Sequence, residues 1–383
     1  MGNIEGEVMS SKLSQLASVD MLADEDIFYV VQDGVSKQVS LETMRGQATS
    51  ASGWQRPIDW LPMPATASNQ LDILVAVYNN GSNFVALQCS VSSGTYHVDW
   101  GDGTSEDIAS GVQANHLYSY SDSDLAGTES SRGYKQAIIV VTANTGNITN
   151  INLGKRHHSI SVNYAQPFLD AQINAPSCSV FTTYGTLSCP ILERCHIVAI
   201  GNITDATNMF NLCFELQAID FPVGSLGGVT SAVSMFAGCR NLLPLTLPAG
   251  SFASVTNATS MFSACYSLQS ITFPSGSLAS VTNATSMFSN CYSLRELDFP
   301  TNSFAVLSVS TSMFNNCPSL SKIVGCAIPI SFSLTNCLFD SVGLNSVYTS
   351  LPTVVVQTLT VTGNYGTAGD DPSIATAKGW IVV

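Results

Sequence analysis

Acidic side chains crowd one short stretch of the chain, Asp99-Trp100-Gly101-Asp102-Gly103-Thr104-Ser105-Glu106-Asp107. Four carboxylates so close could supply the several oxygen ligands that calcium takes, but they do not follow the order of a calcium-binding loop. The same groups have a local use. Asp99 and Asp102 can accept bonds from nearby backbone amides, and Gly101 and Gly103 permit the positive φ of a tight turn. A second acid pair, Asp220 and Asp298, sits at equivalent places of a repeat, three units apart. At the usual strand spacing that is about 14 Å, farther than the roughly 5 to 9.5 Å of either glycosidase geometry. His97, His116 and His196 show no spacing for a metal site or a catalytic triad. His157 and His158, beside Lys155 and Arg156, form the basic spot of the chain. A pH-sensitive contact there competes with a solvated loop. These patterns predict no enzyme, no cofactor and no metal.

The eleven cysteines carry no Cys-x-x-Cys pair and no zinc spacing. Five of them mark one position of a repeat. Met-Phe recurs at 209, 235, 261, 287 and 313, always 26 residues apart. Four residues after each Met stands Cys213, Cys239, Cys265, Cys291 or Cys317, and seven after it stands a Leu. A fixed period in this range reads as a solenoid. Leu-x-x-Ile-x-Phe fits a short strand with its apolar side chains to one side. The preceding Ala-Thr-x-Met-Phe-x-x-Cys fits a short helical turn. Proline after the strand ends it. One such coil cannot bury its apolar face alone, and stacking buries it. The Cys ladder is then a small buried core column. Degenerate coils are visible at 189–197 and around Leu334, Cys337 and Phe339. The last segment breaks the period. It reads as a cap with a strand, a short helix at Pro372–Lys378 and a final strand Trp380–Val383.

This repeat pattern resembles the BspA-type leucine-rich repeats of bacterial surface proteins over roughly residues 185–383. The resemblance implies binding rather than catalysis.

Ahead of the repeats, IFYVVQDGVSKQVSL at 27–41 reads as a β-hairpin closed by Asp33-Gly34. One helical turn follows, with Ser40 as its N-cap. The stretch DEDIFYVVQDGVSKQVSLETM is similar to the N-terminal module of tailed-phage fibre and appendage proteins. That resemblance implies a virion-proximal, trimeric anchor, with Ile27, Phe28, Tyr29, Val30, Val31, Val35 and Val39 as its contact residues. GQATSASG at 46–53 reads as a linker. WQRPIDWLPMPATASNQ reads as an extended segment docked on a neighbour, and its start resembles segments of marine-phage structural proteins. Residues 70–145 alternate as strands. Trp100-Gly101-Asp102-Gly103 with His116-Leu117-Tyr118 resembles the mark of the PKD-type, immunoglobulin-like β-sandwich.

Hydrophobic residues make up 45% of the chain, charged ones only 10%, and the net charge is −14 without a Lys/Arg cluster. That excludes the basic footprint of a nucleic-acid binder and disfavours an anionic membrane surface. No run of 18 apolar residues is present, which argues against a membrane-spanning helix. The first twenty residues lack the pattern of a secretory signal. The expectation is therefore synthesis in a cytoplasm, and the phage resemblance implies a virion as final location. The Asn-Ala-Thr sequons at Asn257 and Asn283 are expected to stay unglycosylated.

The expected architecture is mainly β, of several domains. A hairpin anchor and linker span 1–53, a PKD-like sandwich 54–180, a repeat solenoid 181–345 and a cap 346–383. Side chains between inward positions are expected to point outward: Ala218, Pro244, Ser270, Glu296 and Lys322, then Asp220, Thr246, Thr272, Asp298 and Val324. Tyr266 and Tyr292 are expected to form an exposed pair. The candidate ligand face is Asp220, Thr246, Ser270, Thr272, Glu296, Asp298, Tyr266 and Tyr292. The expected function is a structural, homotrimeric tail fibre of a tailed phage. It would meet other virion proteins through its front module and a host receptor or glycan through its repeats. A capsid-attached fibre or decoration protein, and a BspA-like bacterial adhesin, are the alternatives.

Overall fold

The computed structural model describes residues 27–32, 35–40, 54–79, 83–161 and 164–383. The chain divides into two compact units, 1–58 and 59–383. In the first, β1 (Ile27–Gln32) and β2 (Val35–Ser40) pair antiparallel, with Ile27 opposite Ser40 and Gln32 opposite Val35. The predicted hairpin is there, and its register leaves only residues 33 and 34 to the connection. That turn and the expected helical turn after Ser40 lie outside the described residues.

The second unit opens with a β-sandwich. Its strands are β3 (Gln70–Val77), β4 (Phe84–Val91), β5 (Thr95–Asp99), β6 (Ser105–Ala109), β7 (Gln113–Leu117), β8 (Lys135–Ala143), β9 (Ile148–Asn152), β10 (Phe168–Ala175) and β11 (Val180–Thr182). One sheet runs β10-β3-β8-β5-β6, the other β11-β9-β4-β7. Leu71, Ile73, Val75 and Val77 of β3 join the core with Val85, Leu87, Tyr96, Ile139 and Ile151. Strand β3 is buried along its whole length. Its other face lies under the segment around residues 59–67. There the Leu61 amide donates to Gln136 Oε1 at 3.0 Å, and Thr66 Oγ1 donates to Asp72 Oδ2 at 2.5 Å. Residues 59–67 of the stretch expected to be extended and docked thus cover this chain's own sheet. Burial pushes the Asp72 carboxyl above its ordinary range, against the bonds from Thr66 and Gln70.

The first sheet does not stop at β10. This strand is antiparallel to β3 on one side and parallel to β12 (Arg194–Ile200) on the other. Strand β12 is in turn parallel to β13 (Ala218–Asp220), which already belongs to the repeats. The other sheet is also joined to them, because the Thr183 amide donates to the Met209 carbonyl at 2.9 Å. Position 180, taken from the sequence as a boundary, therefore falls within a region where both sheets run on into the solenoid.

The solenoid strands β14 (Leu245–Thr246), β15 (Ser270–Thr272), β16 (Glu296–Asp298) and β17 (Lys322–Val324) form a parallel sheet with a strict 26-residue register. The Ala-Thr-x-Met-Phe segment is not helical. It consists of tandem turns, for example Met209 N to Ala206 O at 3.1 Å and Cys213 N to Phe210 O at 3.2 Å. Asn208, Leu212, Ser234, Ser260, Ala264, Ser286 and Asn290 adopt φ of 52–62°. That conformation costs about 1–2 kcal/mol per residue without glycine. It lets their amides point along the solenoid axis. Asn208, Leu212 and Ser260 donate to Val233, Ala237 and Thr285 of the next coil at 2.8–2.9 Å. Apolar residues at i, i+1 and i+4 fit a helical turn equally well, so the sequence pattern did not separate the two. What the pattern omits is the intercoil ladder that rewards the unusual φ.

Beneath the ladder the Phe rings stack. Phe210, Phe236, Phe262, Phe288 and Phe314 succeed one another at centroid distances of 5.3–5.9 Å, with planes within 7° of parallel. The cap continues the parallel winding through β18 (Phe332–Ser333), β19 (Gln357–Thr360) and β20 (Trp380–Val382). Its short helix α2 (Ser373–Thr376) lies where the sequence places one. Helix α1 (Ser341–Ser350) went unread, although Leu344, Val347, Tyr348 and Leu351 are buried at i, i+3, i+4 and i+7. Asp340 caps its N-terminus through Gly343 N at 2.7 Å. Lys378 Nζ bonds the carbonyls of Tyr348, Thr349 and Leu351 at its C-terminus.

Candidate binding face

The strand register aligns the expected face in two rows. Thr246, Thr272, Asp298 and Val324 stand opposite one another, all exposed. Ser270, Glu296 and Lys322 form the second row, with Lys322 Nζ 3.3 Å from Glu296 Oε2 in an exposed ion pair. Such a pair is worth at most about 1 kcal/mol. Tyr266 and Tyr292 stack at 4.9 Å and 22°, and Tyr292 is 44% exposed. The stack extends beyond the predicted pair. Arg240 lies over the Tyr266 ring at 5.6 Å and over Phe214 at 4.2 Å. Four flat groups from successive coils thus make one column. The signal was present, because each of the four residues directly follows the repeat's Cys. Their unlike chemistry hid it.

Two residues depart from the expected face. Ala218 is buried rather than outward, because β13 lies where the sandwich sheet enters the solenoid. Asp220 is held in a junction cluster. Its Oδ2 is 3.1 Å from His196 Nδ1 and 3.6 Å from Arg194, which also approaches the buried Asp170 at 3.9 Å. The bond to His196 chiefly lowers the Asp220 carboxyl below its ordinary range, against burial and with help from Arg194.

The acidic turn of the sandwich closes on itself. Gly101 N bonds Asp99 Oδ1 at 2.9 Å, and Asp102 Oδ1 accepts from the Thr104 amide and hydroxyl at 3.1 and 2.6 Å. Asp102 Oδ2 meets His116 Nε2 at 2.6 Å. The His116 ring stacks on Trp100 at 4.7 Å, and Tyr118 donates to the Trp100 carbonyl at 2.6 Å. Burial works to raise the Asp102 carboxyl, but the bonds from Thr104 and His116 outweigh it and hold it low. Gly101 and Gly103 have φ of 74° and 80°. The carboxylates of Asp99 and Asp102 thus serve the turn, as the local reading expects. Among the described residues no group of three His, Cys, Asp or Glu side chains is placed to share a metal ion.

His157 is buried, stacked on His158 and tilted against Phe84, and burial lowers its pKa. It is not the solvated residue that its basic neighbours imply; His158 remains exposed. No helix among the described residues is long and apolar enough to cross a membrane.

All eleven cysteines are unpaired and buried. In the repeats four thiols cap a carbonyl of the coil before, and Cys213 meets the Thr183 hydroxyl at 3.0 Å. Cys239, Cys265, Cys291 and Cys317 donate to Phe210, Phe236, Phe262 and Phe288 at 3.0–3.2 Å. Burial pushes Cys213 and Cys317 up to about 12. Thiolate, the reactive form, is therefore scarce at neutral pH. Iodoacetamide at pH 8 is expected to label no thiol of the folded protein and all eleven in denaturant. Rapid labelling of Cys239 or Cys265 under native conditions would contradict the buried column.

Residues 203–345 match the model of the BspA type leucine rich repeat region, in six copies. The parallel 26-residue winding of this part agrees with that match. No curated protein and no solved structure matches the chain.

Proposed function

We propose that this protein is a non-catalytic attachment protein that binds a cell surface through the strand face of its repeats. The supporting observation is the aligned face of exposed Thr246, Thr272, Asp298 and Glu296 with half-buried Ser270, carried on a regular stack of coils. Solenoids use such regular surfaces for binding. The adjacent Tyr266 and Tyr292 add aromatic area of the kind that dominates interface energy. No cofactor and no catalytic residue enters this reading.

The finer reading is a tail fibre of a tailed phage, homotrimeric, with the 1–53 module docking on other virion proteins. It rests on the resemblance of residues 24–44, and the sandwich resembles the PKD type only through the Trp100–Gly103 and His116–Tyr118 motifs. The BspA-type repeats favour a second reading, a bacterial surface adhesin, which uses the same face.

The test is binding of the fluorescently labelled full chain to bacterial cells. The double variant Thr272→Arg/Asp298→Arg is expected to bind more than about tenfold more weakly, about 1.4 kcal/mol or more. Unchanged binding would remove the strand face from the proposal. Release of reducing ends from host polysaccharide would overturn the non-catalytic reading. The solution mass of the full chain, with and without residues 1–53, separates a trimeric fibre from a monomeric adhesin.

A further inference from the structure

The intercoil ladder is regular until one place. The amides of Ala206, Ala232, Ala258 and Ala284 donate to the carbonyls of Ser231, Asn257, Asn283 and Val309 at 2.8–2.9 Å. Beside them, the amides of Thr230, Thr256, Thr282 and Ser308 donate to the carbonyl of the residue 26 positions earlier, at 2.8–2.9 Å. The next rung is missing. Among the described residues, no main-chain partner from the following coil meets the Ser308 carbonyl or the Ser310 and Ser312 amides. The following coil is shorter. Cys337 stands there in the place of Met313, its amide bonding the residue three before it, only 24 positions on. The coils stay joined on their other side, where Leu338 N donates to Leu320 O at 2.8 Å.

A cleft of about 550 Å³ opens at the missing rung. Hydroxyls and a carboxamide line it: Ser310, Thr311 and Ser312 on one side, Ser333, Gln357 and Thr358 on the other. No charged side chain is among the lining residues. Phe332 and Ile330 contribute apolar surface. One bond ties the walls, from Ser310 Oγ to Ser331 O at 2.8 Å. The Gln357 oxygen is taken by the Ser331 amide and hydroxyl at 2.6 and 2.7 Å.

We propose that this cleft binds an uncharged sugar residue of a cell-surface glycan, at a site separate from the strand face. Its size lies within the range of small-ligand sites. Hydroxyls both donate and accept, which matches the alternating demand of a pyranose rim. Main-chain donors and acceptors left open at a ladder break are strong groups that need a partner, and sugar hydroxyls supply both kinds. The apolar part suits the C–H face of the ring. A sialic acid, uronic acid or phosphate would bring a charge with no cation to meet it, so acidic ligands are rejected.

The test uses the full chain against neutral glucose, galactose and N-acetylglucosamine oligosaccharides, and against their sialylated or glucuronate-containing counterparts, by calorimetric titration. Neutral sugars are expected to bind, and acidic ones more than about tenfold more weakly. Thr311→Trp fills the cleft from an exposed position and is expected to abolish binding without changing the thermal midpoint. Thr358→Arg is an independent block with the same expectation. The strand-face variant Thr272→Arg is expected to leave sugar binding intact. Binding that survives both blocked variants, or that prefers acidic sugars, overturns the proposal. So does loss in Thr272→Arg alone, which would move the sugar to the strand face and support the attachment reading instead. Capture of an extended peptide in the cleft, with no affinity for neutral sugars, also overturns it. Absence of any sugar binding overturns the cleft while cell binding by the same chain would leave the attachment reading in place.

Discussion

Phe262→Ala is expected to cost about 3–5 kcal/mol of stability, the usual range for emptying a large aromatic from a core. The ring is fully buried and stacked, 5.3 Å from Phe236 and 5.6 Å from Phe288. Its loss removes contacts to both neighbouring coils, and the ladder above holds the backbones apart so that the space cannot close. In a solenoid each coil meets only its neighbours, so damage in the middle separates the two ends. The measurement is urea unfolding followed by circular dichroism, with thiol labelling of Cys265 and Cys291 as a local readout. Both thiols are expected to label before Cys195. Tyr292→Ala, in the exposed stack, is expected to cost under about 1 kcal/mol. Equal losses in the two variants would mean that the main-chain ladder, not the ring column, carries the stability of the coils.

The second large effect belongs to the junction. Arg194 lies between Asp170, which is fully buried, and Asp220. Removing one partner of a buried ion pair costs about 3–5 kcal/mol, because a charge remains without its counter-charge. Arg194→Ala is expected to fall in that range, with Arg194→Ala/Asp170→Asn recovering most of it. A single variant within 1 kcal/mol of the parent, as for an ordinary surface substitution, would show that Asp170 draws little from Arg194. The same cluster predicts a pH dependence. The folded-state pKa of Asp220 is lowered, first by His196. A lowered carboxylate pKa adds stability that is present above the unfolded value and is lost as pH falls through the folded value. The acid limb of unfolding should therefore move toward lower stability from about pH 4 downward, and Asp220→Asn should flatten that part of the curve.

Much of this architecture could be read before any coordinates. The Met-Phe period located every regular coil, and the inward Leu, Ile and Cys positions are buried as the pattern requires. The hairpin at 27–40 and the strands at 70–77, 84–91, 95–99 and 135–143 follow from apolar alternation. The spacing predicts a helical turn where tandem turns stand, since side-chain spacing alone does not report φ. Helix α1 escaped because its Ser, Thr, Asn and Val residues are poor helix formers. Packing of Leu344, Val347 and Tyr348 overrides that preference. On the candidate face, Thr246, Ser270, Thr272, Glu296, Asp298, Tyr266 and Tyr292 are at least partly exposed as the alternation implies. Asp220 is drawn into the junction instead, because its neighbour strand there is β12, whose His196 and Arg194 lie outside the regular repeat.

The sequence by itself determined the solenoid, its period, its core columns and the absence of a basic footprint. These are properties of repetition and composition, and any coil stacked on its copy must express them. Only the tertiary structure decided where repetition fails. It joined both sandwich sheets to the first coil, buried Ala218 and His157, and extended two tyrosines into a column with Phe214 and Arg240. It also opened a cleft where a shorter coil interrupts the ladder. Each of these depends on which unlike segments meet in space. A period describes what a coil shares with its neighbours, whereas these features arise where neighbours differ.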